Sequence, residues 1–174
     1  MRVGVAYSEN PDIRLPMQKL NDLCQISSQT QVWTEQMLRR KHADGHQLWT
    51  TAFRQENHRR LEARCQALTA VLEECHIPYL PPTSGLFCWI DLRAHLPAEG
   101  TDAERERALY LRLVNDFGLL LTPSNSMRHE KPGFFRVVFT AASDEEFAVG
   151  LERFRRFAAA AASPRVPGVF PRPG

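Results

Sequence analysis

The chain has 174 residues, of which 43% are hydrophobic and 24% are charged, so it is long enough to bury a sizeable core. Its formal net charge of +2 is too small to indicate a nucleic-acid partner. No apolar stretch reaches membrane-spanning length and no charged-then-apolar leader is present, so we expect neither a membrane partner nor a secretory signal.

The first half of the chain is predicted to be mainly helical. Alternation of Val3, Val5 and Tyr7 with small residues predicts a strand. Asn10 followed by Pro11 is typical of a helix start, and polar residues interrupt the helical pattern near residues 26–30. Further helices are predicted at about residues 29–40 and 48–74, with a break at Gly45 between them.

The second half alternates strands with helices. A capping box at Thr101 and Glu104 starts one helix, which Gly118 ends, and a box at Ser143 and Glu146 starts another. The order strand, strand, helix, strand, strand, helix predicts an α/β fold, a small sheet with helices on one face. The predicted strands span residues 77–80, 86–92, 119–121 and 134–140.

Four cysteines bear on the cellular compartment. They form no CxxC pair and no zinc-type spacing with histidine, so we predict no metal site. Because Cys65, Cys75 and Cys88 lie in apolar patterns, we expect buried, reduced thiols and a cytoplasmic location. The four residues are Cys24, Cys65, Cys75 and Cys88.

Arg136 is the main candidate for chemistry because it lies inside an apolar strand. It shares a strand face with Phe134 and Val138, and a guanidinium among such neighbours needs a paired charge. Arginine binds a planar carboxylate with two hydrogen bonds, which favours a clamp for a substrate carboxylate. The alternative is an edge arginine paired with an aspartate or glutamate of the same chain.

Four segments of the chain resemble 1-aminocyclopropane-1-carboxylate synthases, within the class I/II aminotransferase family of pyridoxal-phosphate enzymes. They occur in the family's order and spacing, and together they span residues 2 to about 157. The segments are residues 2–8 (RVGVAYS), 26–31 (ISSQTQ), 84–92 (SGLFCWIDL) and 131–139 (KPGFFRVVF).

The resemblance implies a fold and a set of site residues. The fold is pyridoxal-phosphate fold type I, with residues 1–45 as the end of the large domain, 46–76 as a connecting helix and 77–158 as the small α/β domain. Residues 159–174, rich in proline, are expected to form a disordered tail. By the same resemblance, Arg2 contacts the cofactor phosphate and Arg136 binds the α-carboxylate of an amino-acid substrate.

The catalytic lysine of the family has no counterpart in this sequence. The resemblance places it upstream of Arg2, and Lys19, Lys41 and Lys131 lie outside the matching context. Pyridoxal phosphate acts as an electron sink when a lysine holds it as a Schiff base. We therefore assign no catalytic residue and expect the chain alone to be inactive.

Two hypotheses follow from the resemblance. In the first, the chain is the C-terminal portion of a homodimeric pyridoxal-phosphate protein that acts on an α-amino acid, as a lyase or a transaminase. In the second, the chain is a non-catalytic pseudo-enzyme fragment that serves as a binding or dimerisation module.

Overall fold

The computed structural model describes residues 3–160, which divide into two compact units between His58 and Arg59. The helices are α1 (Pro11–Cys24), α2 (Ser28–Arg39), α3 (Trp49–Glu74), α4 (Asp102–Phe117) and α5 (Asp144–Ala160). The strands are β1 (Tyr79–Leu80), β2 (Phe87–Asp91), β3 (Thr122–Pro123) and β4 (Phe134–Val138). Short 3-10 helices span Arg93–His95 and Ser124–Met127.

The local signals in the first unit are mostly confirmed. The side chain of Asn10 accepts a hydrogen bond of 2.9 Å from the backbone N–H of Asp12, so it caps α1 as predicted. Ser27 caps α2 in the same way, after the expected interruption. Gly45, at a φ of +71°, lies in a turn closed by the bridge between Lys41 and Leu48.

The predicted strand at Val3, Val5 and Tyr7 is wrong. Residues 3–8 form neither helix nor strand, and Val5 and Tyr7 are 93% and 81% exposed. A strand is stabilised by hydrogen bonds to a neighbour, and within residues 3–160 no other segment pairs with this one. Alternation of large apolar and small side chains was therefore insufficient to predict a strand.

The second unit contains a four-stranded sheet in the order β1-β2-β4-β3, with every neighbouring pair antiparallel. The predicted sequence of strands and helices is confirmed. The strand expected at residues 119–121 is displaced to Thr122–Pro123, because Gly118 ends α4 in the left-handed conformation and the N–H of Leu119 bonds back to Leu113. Residues just after α4 therefore complete its cap before they join the sheet.

Both predicted capping boxes are present. Thr101 accepts from the backbone N–H of Glu104, whose carboxylate accepts from the backbone N–H of Thr101 at 2.8 Å. Ser143 and Glu146 form the same reciprocal pair at the start of α5. Each box satisfies backbone N–H groups that would otherwise lack a partner at the start of its helix.

The core of the second unit lies between one face of the sheet and the helices. Cys88, Ile90, Phe135 and Val137 point from the two central strands into this core. The helices contribute the buried side chains Leu68, Val71, Leu72, Leu109, Leu113, Phe154 and Phe157. Because side chains alternate along a strand, Arg136 lies on the opposite face.

The predictions for the cysteines and for the C-terminal tail need partial correction. Cys65 is only partly buried and Cys24 is exposed, whereas Cys75 and Cys88 are buried as expected. Helix α5 continues through Ala160, so residues 159–160 are helical, and the rest of the predicted tail, 161–174, lies outside the described residues. The predicted domain boundaries and the cytoplasmic location remain predictions.

Among residues 3–160, no helix is both long and apolar enough to cross a membrane. Over the same residues, no group of three or more histidine, cysteine or acidic side chains is arranged to bind a metal ion.

Candidate functional site

Arg136 lies on the face of the sheet opposite the core. In the strand register it stands between Trp89 on β2 and Thr122 on β3. We call this side of the sheet the arginine face, and its strand side chains are Phe87, Trp89, Asp91, Thr122, Phe134, Arg136 and Val138.

The guanidinium of Arg136 has few partners. Its Cζ lies 4.5 Å from the centroid of the Phe87 ring, and its Nη2 lies 3.5 Å from Oγ1 of Thr122. Its Nε is buried without a hydrogen-bond partner. No aspartate or glutamate in the described part of the chain forms an ion pair with it, so the alternative of an internal carboxylate partner is not found there.

Asp91 lies on the arginine face but binds a different arginine. Its two carboxylate oxygens accept hydrogen bonds of 2.7 to 3.1 Å from Nε and Nη2 of Arg93. Asp91 is only 6% exposed, and its carboxylate raises the pKa of Arg93. The guanidinium of Arg93 also lies 4.8 Å from the centroid of the Phe134 ring. The acid on this face is therefore already neutralised.

Aromatic rings flank the arginines. Trp89 and Phe134 stack with their centroids 6.1 Å apart and their planes within 4°. The imidazole of His129 lies 5.6 Å from the Trp89 ring and 5.0 Å from the Phe134 ring. This cluster gives the arginine face an apolar wall, against which a charged group is poorly hydrated.

Glu106 on α4 organises the loop before β4, and the sequence analysis missed it. The buried carboxylate, 2% exposed, accepts hydrogen bonds from the backbone N–H of Gly133 at 2.8 Å and of Asn125 at 2.9 Å. It also accepts from the hydroxyl of Ser124, which is fully buried. The sequence contained one sign that Glu106 is buried. It lies three residues before Leu109, on the apolar face of α4.

The three lysines considered in the sequence are all at the surface. Lys19 and Lys131 are exposed, as is Lys41, which forms an isolated bridge with Leu48. None of these three lysines is buried. Arg2, the predicted phosphate contact, lies outside the described residues.

A sequence profile for aminotransferases of class I and II matches residues 1–154. The chain belongs to this family. Members of the class I/II aminotransferase family depend on pyridoxal phosphate.

The chain is similar in sequence to plant 1-aminocyclopropane-1-carboxylate synthases. It is 36% identical to 1-aminocyclopropane-1-carboxylate synthase 11 of Arabidopsis thaliana over 156 residues, which is 90% of this chain and 32% of that protein. It is 35% identical to the synthase of Nicotiana tabacum, with 90% of this chain and 30% of that protein covered. This family member therefore spans about one third of the length of the relatives it matches.

The fold of the class I/II family is also seen in the structure comparison. An aromatic aminotransferase from Pyrococcus horikoshii superposes with a TM-score of 0.53 and 14% identity, over 69% of this chain and 29% of that chain. The mixed helices and sheet are those of an α/β portion of fold type I, as predicted from the sequence.

Proposed function

We propose that the chain is the C-terminal part of a pyridoxal-phosphate-dependent, 1-aminocyclopropane-1-carboxylate synthase-like protein, in which Arg136 binds the α-carboxylate of an amino-acid substrate. The observation that supports this proposal is the guanidinium of Arg136, which has no ion-pair partner among residues 3–160 and whose buried Nε has no hydrogen-bond partner. A guanidinium beside apolar side chains is costly without a paired charge, and a bound carboxylate would supply that charge.

The local chemistry favours a carboxylate over other ligands. A guanidinium offers two parallel N–H donors, which match the two oxygens of a carboxylate. Asp91 is held by Arg93, so it competes little for Arg136. The apolar wall of Trp89 and Phe134 would strengthen the ionic hydrogen bonds, because it lowers the local dielectric.

Binding of [1-13C]-L-alanine, followed by the carboxyl signal in 13C NMR, tests this proposal. We expect the signal to shift saturably with the wild-type chain, and Arg136→Lys to weaken binding about tenfold or more, because lysine cannot make the paired hydrogen bonds. Arg156→Lys, an exposed site on α5, is the matched control and should bind as the wild type does. Equal binding by both variants would contradict the proposed role of Arg136.

We propose further that the chain alone does not catalyse the family's reaction. The support is the exposure of Lys19, Lys41 and Lys131, none of which has the surroundings that a Schiff-base lysine requires. Absorbance spectra with added pyridoxal phosphate, before and after borohydride, followed by mass mapping of the modified lysine, test this. A stable, reducible band located at one lysine would contradict the proposal.

A second candidate function is a binding or dimerisation module. Its support is the first unit, where α1 and α2 have no buried residue and where Leu20, Leu23 and Trp33 are 62%, 84% and 57% exposed. Exposed apolar side chains in this number are typical of an interaction surface. We propose a homodimer in the intact protein, and sedimentation velocity over a range of concentrations tests whether this chain self-associates. A monomer at every concentration would argue against the module.

A further inference from the structure

We infer that Phe87 is a positioning residue for Arg136: its ring holds the guanidinium on the arginine face without occupying any N–H donor. This inference rests on the proposed carboxylate-binding role of Arg136. In this role, Phe87 does not contact the reacting atoms.

The position of Phe87 is unusual for an apolar side chain of a packed sheet. It is the first residue of β2, and it pairs with Val138, two residues beyond Arg136 on β4. Phe87 is 44% exposed, whereas the next residue, Cys88, is fully buried in the core. Phe87 therefore contributes little to the core, and its main charged neighbour is the guanidinium at 4.5 Å.

An aromatic ring and a carboxylate hold an arginine in different ways. The ring attracts the cation through its π electrons and accepts none of the N–H groups in a conventional hydrogen bond. Asp91, by contrast, occupies both Nε and Nη2 of Arg93. A carboxylate in the place of Phe87 would neutralise Arg136 and would occupy the donors that a substrate needs.

The other contact of Arg136 is too weak to fix the guanidinium. The separation of 3.5 Å between Nη2 and Oγ1 of Thr122 is at the outer limit of a hydrogen bond. Long side chains lose substantial rotamer freedom when a ligand immobilises them. A ring that restricts the guanidinium beforehand reduces this loss, so Phe87 is expected to raise the affinity for a carboxylate.

The aromatic character of residue 87 is therefore the property to vary. Phe87→Tyr and Phe87→Trp keep the π electrons, whereas Phe87→Leu keeps an apolar side chain and removes them. Phe53→Leu is the matched control, because Phe53 is a phenylalanine of similar exposure, 55%, in the first unit. Amide spectra of each variant confirm that the chain is folded.

The experiment follows the side-chain Nε–Hε signal of Arg136 in 15N-labelled full-length chain, assigned through its loss in Arg136→Lys. In the free wild-type chain, we expect an upfield Hε shift from the Phe87 ring current, which Phe87→Leu removes. Titration with L-alanine, with L-alaninamide as the probe that lacks a carboxylate, gives the affinity. We expect Phe87→Leu to weaken L-alanine binding about threefold to tenfold, and the tyrosine and tryptophan variants to stay within about twofold of the wild type.

The outcomes separate the two claims. If wild-type Arg136 does not respond to L-alanine, or responds equally to L-alaninamide, the proposed carboxylate site fails, and the role of Phe87 fails with it. If the wild type binds but Phe87→Leu binds equally well, only the role of Phe87 is overturned. An unchanged Hε shift in Phe87→Leu would also overturn it.

Discussion

The backbone N–H of Gly133 donates a hydrogen bond of 2.8 Å to the carboxylate of Glu106, one residue before β4 begins. This bond ties the loop that leads into β4 to helix α4. Because Arg136 is the third residue of β4, the position of its side chain depends on where this strand starts. Glu106 thus connects the core helix to the arginine face.

Glu106→Gln should destabilise the fold. The carboxylate accepts from two backbone N–H groups and one hydroxyl, whereas an amide would turn its own NH2 group toward at least one of these donors. We expect a loss of about 2 to 3 kcal/mol in the free energy of unfolding, measured by urea denaturation.

Glu99→Gln is the control for this prediction, since Glu99 is an exposed loop residue. Its effect should stay below about 0.5 kcal/mol. Similar urea midpoints for Glu106→Gln and Glu99→Gln would show that the buried carboxylate is dispensable for stability.

Gly133→Ala should be more damaging than Gly85→Ala, although both glycines have a positive φ, +89° and +87°. A Cβ at Gly133 would lie 2.9 Å from Cγ of Arg93 and 3.0 Å from its Cα, whereas a Cβ at Gly85 would have no atom within 4 Å. Alanine costs about 1 kcal/mol at either position, because a residue with a Cβ disfavours a positive φ. Gly133→Ala adds about 1 to 3 kcal/mol of overpacking. Urea denaturation measures both values, and equal losses would exclude the steric contribution.

Glu104 should contribute to stability only above acid pH. The backbone N–H of Thr101 and then its hydroxyl lower the pKa of Glu104. A carboxylate whose pKa is lower in the folded than in the unfolded state stabilises the fold above its unfolded value, and this contribution disappears as pH falls through the folded value.

The urea midpoint of the wild type should therefore fall further than that of Glu104→Gln between about pH 5 and pH 3. All other carboxyl groups titrate in both proteins, so the difference between the two profiles isolates Glu104. Parallel profiles would contradict the assigned cause.

The thiols should differ widely in reactivity. Burial raises the pKa of Cys88 to about 12, and its side chain is fully buried, whereas Cys24 is exposed. Because the thiolate is the nucleophile, iodoacetamide at about pH 8 should label Cys24 first and Cys88 last, as followed by mass spectrometry. Cys24→Ser should remove the fast phase. Early labelling of Cys88 in the folded chain would show that the sheet opens readily.

Helix ends were predictable from the sequence because their signals are local. Asn10, Thr101, Gly118 and Ser143 each satisfy backbone groups within four or five residues, so the pattern contains both partners. The strand predicted at residues 3–7 failed for the opposite reason. Its stability would depend on a distant pairing segment, which alternation of side chains cannot reveal.

The candidate site was only partly predictable. A guanidinium on an apolar strand made Arg136 a candidate because its charge conflicts with its neighbours, and the family resemblance implied its carboxylate-binding role, which stays a prediction. Glu106 and Phe87 were missed because their roles depend on partners 27 and 49 residues away, Gly133 and Arg136. Such pairings arise from the order of the strands and not from any short motif.

The place of β4 inside the sheet has a consequence for recognition. Ladders on both sides, to β2 and to β3, restrain the backbone that carries Arg136 far more than a loop would. If Arg136 binds a carboxylate as we propose, this backbone needs little reorganisation on binding, and only the flexible side chain has to adjust to the ligand.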